Sequence, residues 1–550
     1  MTLADEIKSF LKGDVDASSD TLEKYSRDAS LFYIKPSVVV FPKDTEDISR
    51  LVDFVNQKKK EGRNISLTAR SAGTDMTGGP LTESIVVEMT KYFNQFKELG
   101  NSYAVSQPGV FYRDFEKKTL EKGLIMPSYP ASRELCTIGG MVANNSGGEK
   151  TLQYGKTEKY VEEIKMVLAD GKEHSFKKLK AEELEIKMAE NSYEGEIYKK
   201  LRQLIVNNQA LLEAAKPNVT KNSAGYYLWN VWNPAEKTFD INKLITGSQG
   251  TFGIITEVRL SLVRMKPKSR LLIIFLNNLN NLGELTERIL SFKPESFESY
   301  DDNTFRLAIK FFPEILERIK GSFIRIALAL APTIWMLISG HFKLPKLVLL
   351  VEFAEDTGAE AYDKARTAAI ALKKEFKLKM RVTASEEETQ EFWVIRRESF
   401  NLLRHHVQGL RTAPFIDDFS VRHQVLPQFL PRLYTILNQY KLLYTIAGHV
   451  GDGNFHIIPL MDLGKPSAKE TIEKLSREVY DLVFEFKGST TAEHNDGIIR
   501  SSYLKEAFGE KVYELFVETK KIFDPDNIFN PGKKTGSDFK YALDHLDKKM

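Results

Sequence analysis

Residues 448–456 read GHVGDGNFH, and the fold and chemistry expected of this chain follow from that stretch. Asp452-Gly453 is the dipeptide preferred in a two-residue type I′ turn between antiparallel strands. Such a turn pairs Gly451 with Asn454, Val450 with Phe455 and His449 with His456. Both imidazoles then share one face of the hairpin, with Cβ atoms about 4.5–5.5 Å apart. Two imidazoles that close can share a metal ion. Further on, in STTAEHNDGIIRS, Glu493 offers a carboxylate. His449, His456 and Glu493 make a three-ligand set with a position left open, the pattern of a catalytic metal site rather than a structural one. His494 would stand beside the ion, free to move a proton. A histidine in a strand is more often a half-exposed residue without ligand duty, and GDGN alone is ordinary turn chemistry. Against that bland reading, the chain holds only nine histidines in 550 residues, and three of them gather here.

Moving outward, a chain of 550 residues exceeds one ordinary core, so two or three domains are expected. The 42% hydrophobic and 28% charged shares are those of a globular protein, and a formal charge of +3 gives no field that argues for nucleic acid. One cysteine, Cys136, excludes a disulfide framework and any iron–sulfur cluster held by thiolates of these residues alone. The first residues, MTLADEIKSFLKG, carry charges where a signal peptide needs an apolar core, so a cytoplasmic protein is expected. Residues 323–339, FIRIALALAPTIWMLIS, are the most apolar stretch, with Arg318, Lys320, Lys343 and Lys346 around them. They fall short of the roughly 20 residues of a spanning helix, and Pro332 would kink them. Two readings stand: a helix lying peripherally on the cytoplasmic face of the membrane, or a buried core helix or dimer contact.

The remaining periodicity predicts an α+β architecture. PSVVVFP, a helix over 45–59, NISLTARSAG and SIVVEMT make a β-α-β-β opening, and YVEEIKMVLADG and GIITEVRLSLV add strands. Residues 180–215 are helical in period. From Arg270 a second alternation begins: strands at RLLIIFL, KLVLLVEF and 416–421, helices over 282–292, 301–319, 359–376 and 427–440, and the hairpin 444–460. The expected division is an N-terminal helical segment 1–33, a first α+β domain 34–266, an antiparallel-sheet domain 267–534 with an apolar insert 320–345, and a loose polar tail 535–550.

Three glycine-rich loops punctuate the first domain: RSAGTDMTGG at 70–79, CTIGGMVANNSGG at 136–148 and GSQGTFGII at 247–255. Consecutive N–H groups in such loops form nests that suit a pyrophosphate. None is a G-x-G-x-x-G fingerprint or a P-loop. Three in one domain imply a large phosphate-bearing cofactor approached by backbone.

These loops, with QPGV at 107–110, QYGKTEKYV at 153–161 and the following VLADG, resemble the FAD-binding domain of the vanillyl-alcohol oxidase/PCMH flavoproteins. GHVGDGNFH, STTAEHNDGIIRS and IFDPDNIFNPGK resemble the C-terminal domain of FAD-linked oxidases, in the branch of D-lactate, glycolate and D-2-hydroxyglutarate dehydrogenases. The resemblance runs from Pro36 to Lys533 in the expected order. It implies a PCMH-type FAD-binding domain of two α+β subdomains, followed by an antiparallel-sheet substrate domain. It further implies that Arg70, Ala72, Gly73, Thr74, Gly78 and Gly79 surround the FAD pyrophosphate. Gly139, Gly140, Asn145 and Gly147 would lie along the cofactor, Gly250 and Ile255 near its adenine half, and Asn530 near the flavin ring. No histidine occurs in 70–79, where covalent members often carry one, so FAD is expected to bind non-covalently.

In the same branch the metal ligands map onto His449, His456 and Glu493 and the base onto His494. Zinc suits that set, and iron or manganese would also bind. The implied reaction is oxidation of a D-2-hydroxy acid: the metal lowers the hydroxyl pKa, His494 accepts the proton, Arg396 holds the carboxylate, and hydride goes to flavin N5. A surface salt bridge from Arg396 to Glu391 or Glu398 is the bland alternative. Electrons would pass to a quinone, an electron-transfer protein or a separate iron–sulfur subunit. Two departures from the pattern stand out. Ala492 and Asn495 flank Glu493-His494 where glycines are usual, and the lysine that many relatives carry before the strand entered here by Ile416-Asp417-Asp418 is missing or relocated, and with it one contact to the substrate carboxylate. Two other functions remain open: an ether-lipid synthase of the alkyl-dihydroxyacetone-phosphate type, or a non-catalytic FAD-binding subunit of a larger dehydrogenase complex.

Overall fold

The computed structural model describes residues 2–304, 345–390, 392–393, 396 and 409–548. Three sheets organise it. In the first, Val38–Phe41, Ile85–Glu88 and Leu67–Arg70 run parallel, in that order, and Asp14–Asp16 adds an antiparallel edge. The valine runs are buried on both faces, as parallel strands are. Helix Thr45–Lys60 covers one side with Ile48, Leu51, Val52 and Val55, spaced for one helical face, and Asp44 caps its start.

The second sheet is antiparallel: Phe96–Leu99, Tyr103–Ser106, Ile254–Ser261, Val161–Val167, Glu173–Lys177. Strand Ile254–Ser261 alternates buried and half-buried residues, and its core side packs with helix Tyr193–Asn207. These two sheets and their helices form the α+β region expected before residue 267.

The third sheet places the site. Its order is Lys379–Val382, Lys268–Leu276, Leu347–Glu355, Ser296–Asp301, Leu443–His449, Asn454–Met461, Arg411–Thr412, with Phe419–Ser420 also against Asn454–Met461. One face packs on helices Leu282–Leu290, Gly358–Phe376, Leu426–Gln439 and Ser467–Glu485 through residues such as Phe297, Ile446, Phe455 and Ile457. Side chains alternate along a strand, so Glu298, His449 and His456 face the opposite way. The site therefore sits on the face that the helices leave uncovered.

Several expectations change. Strand 416–421 shrinks to Phe419–Ser420, because Asp418 adopts a left-handed backbone (φ 69°) that breaks the ladder. The N-terminal segment is helical at Leu3–Lys8 and Ser19–Tyr25 but also supplies the sheet edge Asp14–Asp16. The tail from 535 is not loose. It forms helix Phe539–Asp544, buries Leu543 and Leu546, and ends with Asp547 paired to Arg27 (2.7 Å) and Arg411 (2.5 Å). Asp301 ends a strand rather than starting a helix. Residues 302–304 are helical, in line with the expected helix; its remainder from 305 and the apolar stretch 323–339 lie outside the described residues. No helix among the described residues is long and apolar enough to cross a membrane.

Candidate active site

The hairpin forms, but not with the two-residue turn its Asp-Gly suggested. Val450–Asp452 make a 3-10 turn and Gly453 follows in the left-handed region, giving a four-residue loop. A Cβ at Gly453 would lie 1.8 Å from the Val421 carbonyl oxygen, so this position needs glycine on two counts. Pairing moves by two residues: His449 faces Asn454, and His456 faces Ala447. Because side chains alternate with period two, an even shift keeps both histidines on one face. Their rings meet at 5.3 Å and 87°.

Buried carboxylates orient these imidazoles. His449 Nδ1 donates to Glu298 on the neighbouring strand. Asp417 serves two rings at once, accepting from His456 Nδ1 at 3.1 Å and His494 Nδ1 at 2.6 Å. With every Nδ1 engaged, each ring has Nε2 left for a metal or a substrate, the arrangement that fixes tautomer and orientation at metal centres. His449 Nε2 lies 3.3 Å from Glu493 Oε1, and the His456 and His494 rings stack at 5.0 Å. Burial disfavours charge on His449, yet Glu298 and Glu493 outweigh it and raise its pKa to about 9. Burial likewise opposes charge on His494, and Asp418 and Asp417 raise it to about 9. Burial would raise the Glu493 carboxyl, but His449 and Lys221 hold it well below the usual carboxylate range. Cation binding at this cluster must therefore displace protons.

Asp418, His456, Glu493 and His494 bring one donor atom each within 4.8 Å of one another. Asp418 is nonetheless spent on the loop. One oxygen accepts from Thr491 Oγ1 (2.6 Å) and from the N–H groups of Ala492 (3.0 Å), Glu493 (2.9 Å) and His494 (2.6 Å), and the other accepts from Asn454 (3.1 Å). A carboxylate so engaged is the template that folds the Glu-His loop. His449 is outside that group of four and meets it through Glu493, 3.3 Å from its Nε2.

Arg396 points its guanidinium at Glu298 (3.3 Å), the carboxylate that orients His449. It thus reaches the cluster, while Glu391 and Glu398 lie outside the described residues. Lys221, wholly buried, pairs with Glu493 Oε1 at 2.5 Å and Asp452 Oδ2 at 3.1 Å.

The three glycine loops converge on the same place. A Cβ at Gly147 would sit 3.2 Å from Glu493 Oε1, so the second loop runs directly against the ligand loop. Asn495 donates to the carbonyls of Asn144 (3.1 Å) and Gly247 (2.9 Å), and Gly497 N–H to Gln249 (2.8 Å). Asn530 donates to Gly79 (3.0 Å) and Gln249 (2.7 Å) carbonyls, which spends its amide on joining the first loop to the third. The first loop is half-exposed from Ser71 through Met76, including Ala72, Gly73 and Thr74, between buried flanks. Added Cβ atoms at Gly140 and Gly250 would meet nothing closer than 3.4 Å and 3.9 Å. That open side, bounded by backbone, leaves room for close approach of a phosphate-bearing cofactor.

Four expected cofactor contacts look different. Arg70 donates to the carbonyls of Tyr25 (3.0 Å) and Arg27 (2.6 Å), so its guanidinium, which packs against Gly73, is engaged in propping the N-terminal segment. Gly139 is needed for contact with Pro108, 2.3 Å from an added Cβ. Ile255 packs against the core of the second sheet, and Asn145, left-handed at φ 49°, ends helix Ile138–Asn144 and accepts from Glu158 N–H. In the first loop, Thr77 and Gly79 N–H groups donate to Asp75 (3.0 and 2.7 Å), so part of the nest is answered from within.

Glu298, Asp417, Asp418 and Lys221 escaped the sequence reading. Each is an ordinary charged residue far along the chain from its partner. Only the doubled acid of Ile416-Asp417-Asp418, just before a strand, offered a signal.

Residues 36–177 match the family model of an FAD binding domain, and residues 265–534 that of the C-terminal domain of FAD-linked oxidases. The chain is 25% identical over 535 residues to a D-2-hydroxyglutarate dehydrogenase of Pseudomonas putida, covering 96% of this chain and 51% of that one. It thus spans about half the length of that relative. A glycolate oxidase subunit GlcD of Bacillus subtilis is 26% identical, covering 94% of this chain and 92% of the relative. Among solved structures, p-cresol methylhydroxylase superposes with a TM-score of 0.68 at 14% identity, over 98% of this chain and 96% of the other.

Proposed function

The chain belongs to the FAD-linked oxidases of the PCMH type, and on that premise we propose that it oxidises a D-2-hydroxy acid of the lactate, glycolate or 2-hydroxyglutarate class to the 2-oxo acid. The observation that carries the proposal is the cluster of three imidazoles around Glu493, each held at Nδ1 by a buried carboxylate and lying against Gly147. His449, His456 and Glu493 would hold a divalent ion, most naturally zinc, with iron or manganese compatible. When bound, FAD supplies the two-electron acceptor and the ion supplies the Lewis acid that makes the hydroxyl acidic. With its own proton displaced by the bound cation, His494 would take the hydroxyl proton at Nε2, while Asp417 at Nδ1 fixes the ring and stabilises the imidazolium. Gly73, Thr74, Gly78, Gly79, Gly140, Gly147 and Gly250 give the backbone surface for non-covalent FAD. Arg396 receives the substrate carboxylate by exchanging it for Glu298.

Cys136 is buried and alone, so within these residues no thiolate set holds a cluster, and electrons pass to a quinone or a partner protein. A non-catalytic subunit would have no need of four mutually oriented ligand and base residues, two buried (His449, Glu493) and two partly buried (His456, His494), and no described residue of the site favours a lipid substrate. The test is an initial-rate assay with a dye acceptor across D- and L-lactate, glycolate and D-2-hydroxyglutarate. Turnover of one D-acid, abolished by chelation and restored by zinc, iron or manganese, is expected. A yellow protein inert toward all four would overturn the proposal.

A further inference from the structure

The stretch Lys221–Gly225 runs beside the Glu-His loop almost residue by residue. Asn222 Oδ1 accepts from Ser489 Oγ (2.6 Å), Ser223 N–H donates to Thr491 O (2.9 Å), and Gly225 N–H donates to Asp496 (2.9 Å). Lys156 and Lys534 brace it, donating to the Asn222 carbonyl (2.7 Å) and to those of Ser223 (3.0 Å) and Gly225 (2.8 Å). Those bonds are backbone scaffolding. Lys221 differs, because its ammonium reaches the carboxylate proposed to bind the metal.

Its surroundings are acidic. Glu493 and Asp452, both buried, share this one ammonium, and Glu298 lies on the far side of His449. The Gly148 carbonyl of the second glycine loop also accepts from Lys221 at 3.4 Å. Two buried carboxylates each need a cation beside them; His449 lies 3.3 Å from Glu493, and Lys221 is the cation that reaches both Glu493 and Asp452.

We infer that Lys221 is the resident counter-cation of the ligand cluster: it keeps Glu493 and Asp452 compatible without a metal, and it competes with the metal for Glu493. This rests on the metal reading proposed above. It carries a sign that a merely structural lysine would not. A residue that only positions Glu493 should, when lost, weaken metal binding. A competing cation should, when lost, tighten it while the metal-free protein becomes less stable.

The experiment uses the full chain as purified and as Lys221→Met, Lys221→Arg and Glu493→Gln, with zinc affinity measured against a chromogenic chelator and thermal unfolding with and without zinc. For Lys221→Met, the metal-free midpoint should fall by about 5 °C or more, zinc should bind at least about tenfold more tightly, and zinc should restore most of the lost midpoint. Lys221→Arg should stay near the parent. If Lys221→Met does not fold, the triple variant Lys221→Met/Glu493→Gln/Asp452→Asn should, because both carboxylate charges then leave with the ammonium. Weaker or equal zinc binding in Lys221→Met, or a triple variant that also fails to fold, overturns the inference and leaves the metal site standing. Zinc binding by neither parent nor variant overturns the metal reading itself, and the inference with it.

Discussion

The histidine cluster and the first glycine loop solve two halves of one problem by opposite means. Around His449, His456 and His494 the working groups are side chains, each pinned by a buried carboxylate from elsewhere in the chain. Along residues 70–79 the working groups are backbone, and the side chains present, Asp75 and Thr77, serve to shape the loop itself. The contrast teaches that the two halves should fail separately: side-chain changes at the cluster should spare the cofactor, and Cβ atoms in the loop should spare the metal.

Glu493→Gln tests that separation with the largest expected effect. It should remove the bound metal and lower turnover by at least about 10³-fold while leaving the flavin-to-protein ratio unchanged. Metal analysis and flavin absorbance on the same sample decide it. A joint loss of flavin would show that the halves are one unit.

The converse variant is Gly78→Val. Gly78 has φ +80°, and an added Cβ would meet Phe32 at 2.8 Å and Ile498 at 2.9 Å. Its flavin content should fall to roughly a tenth or less, with strain of about 1–3 kcal/mol at this backbone as a contributing cause. Zinc affinity should remain within about threefold of the parent, measured by the same chelator competition.

Asp417→Asn sharpens the cluster side more gently. One carboxylate orients both the proposed ligand His456 and the proposed base His494, so zinc affinity and turnover should each drop by about 10–100-fold. Glu298→Gln, which touches only His449 among the three rings, should lower zinc affinity more than the rate measured at saturating zinc.

His174 supplies the smallest effect and a useful contrast, since it too sits between carboxylates, Asp170 at 3.1 Å and Glu194 at 3.2 Å, yet lies in the first domain away from any ligand set. Burial opposes its charge, but the two acids raise its pKa to about 9. A folded-state value above the unfolded one gives stability that is complete below about pH 6.5 and lost as pH rises through 9. His174→Gln should therefore lose about 2–4 °C in melting midpoint at pH 6 and little at pH 10. Equal losses at both pH values would contradict this.

The sequence revealed what depends on period and composition. His449 and His456 were legible as a same-face pair because alternation survives a register shift of two, even though the turn was misjudged. Glu493-His494 stood out because histidine is rare here, and the glycine loops because few other reasons gather glycine so densely. What remained hidden was the supporting shell. Lys221 and Glu493 are 272 positions apart and Glu298 and His449 151 apart, so no local pattern links them. Asp418 broke a strand that its neighbours predicted, because the bonds it makes to the Glu-His loop outweigh one strand's ladder. The tail from 535 read as loose because it is polar, but Leu543, Leu546 and Asp547 are enough to dock it.

The most direct test of the central claim is a single-turnover measurement: flavin absorbance under anaerobic conditions on mixing with D-lactate, glycolate or D-2-hydroxyglutarate, for protein as purified, after chelation, and after zinc is returned. Bleaching by one of these acids that disappears with the metal and returns with it is the predicted result. Bleaching that proceeds unchanged in metal-stripped protein would contradict the role assigned to His449, His456 and Glu493.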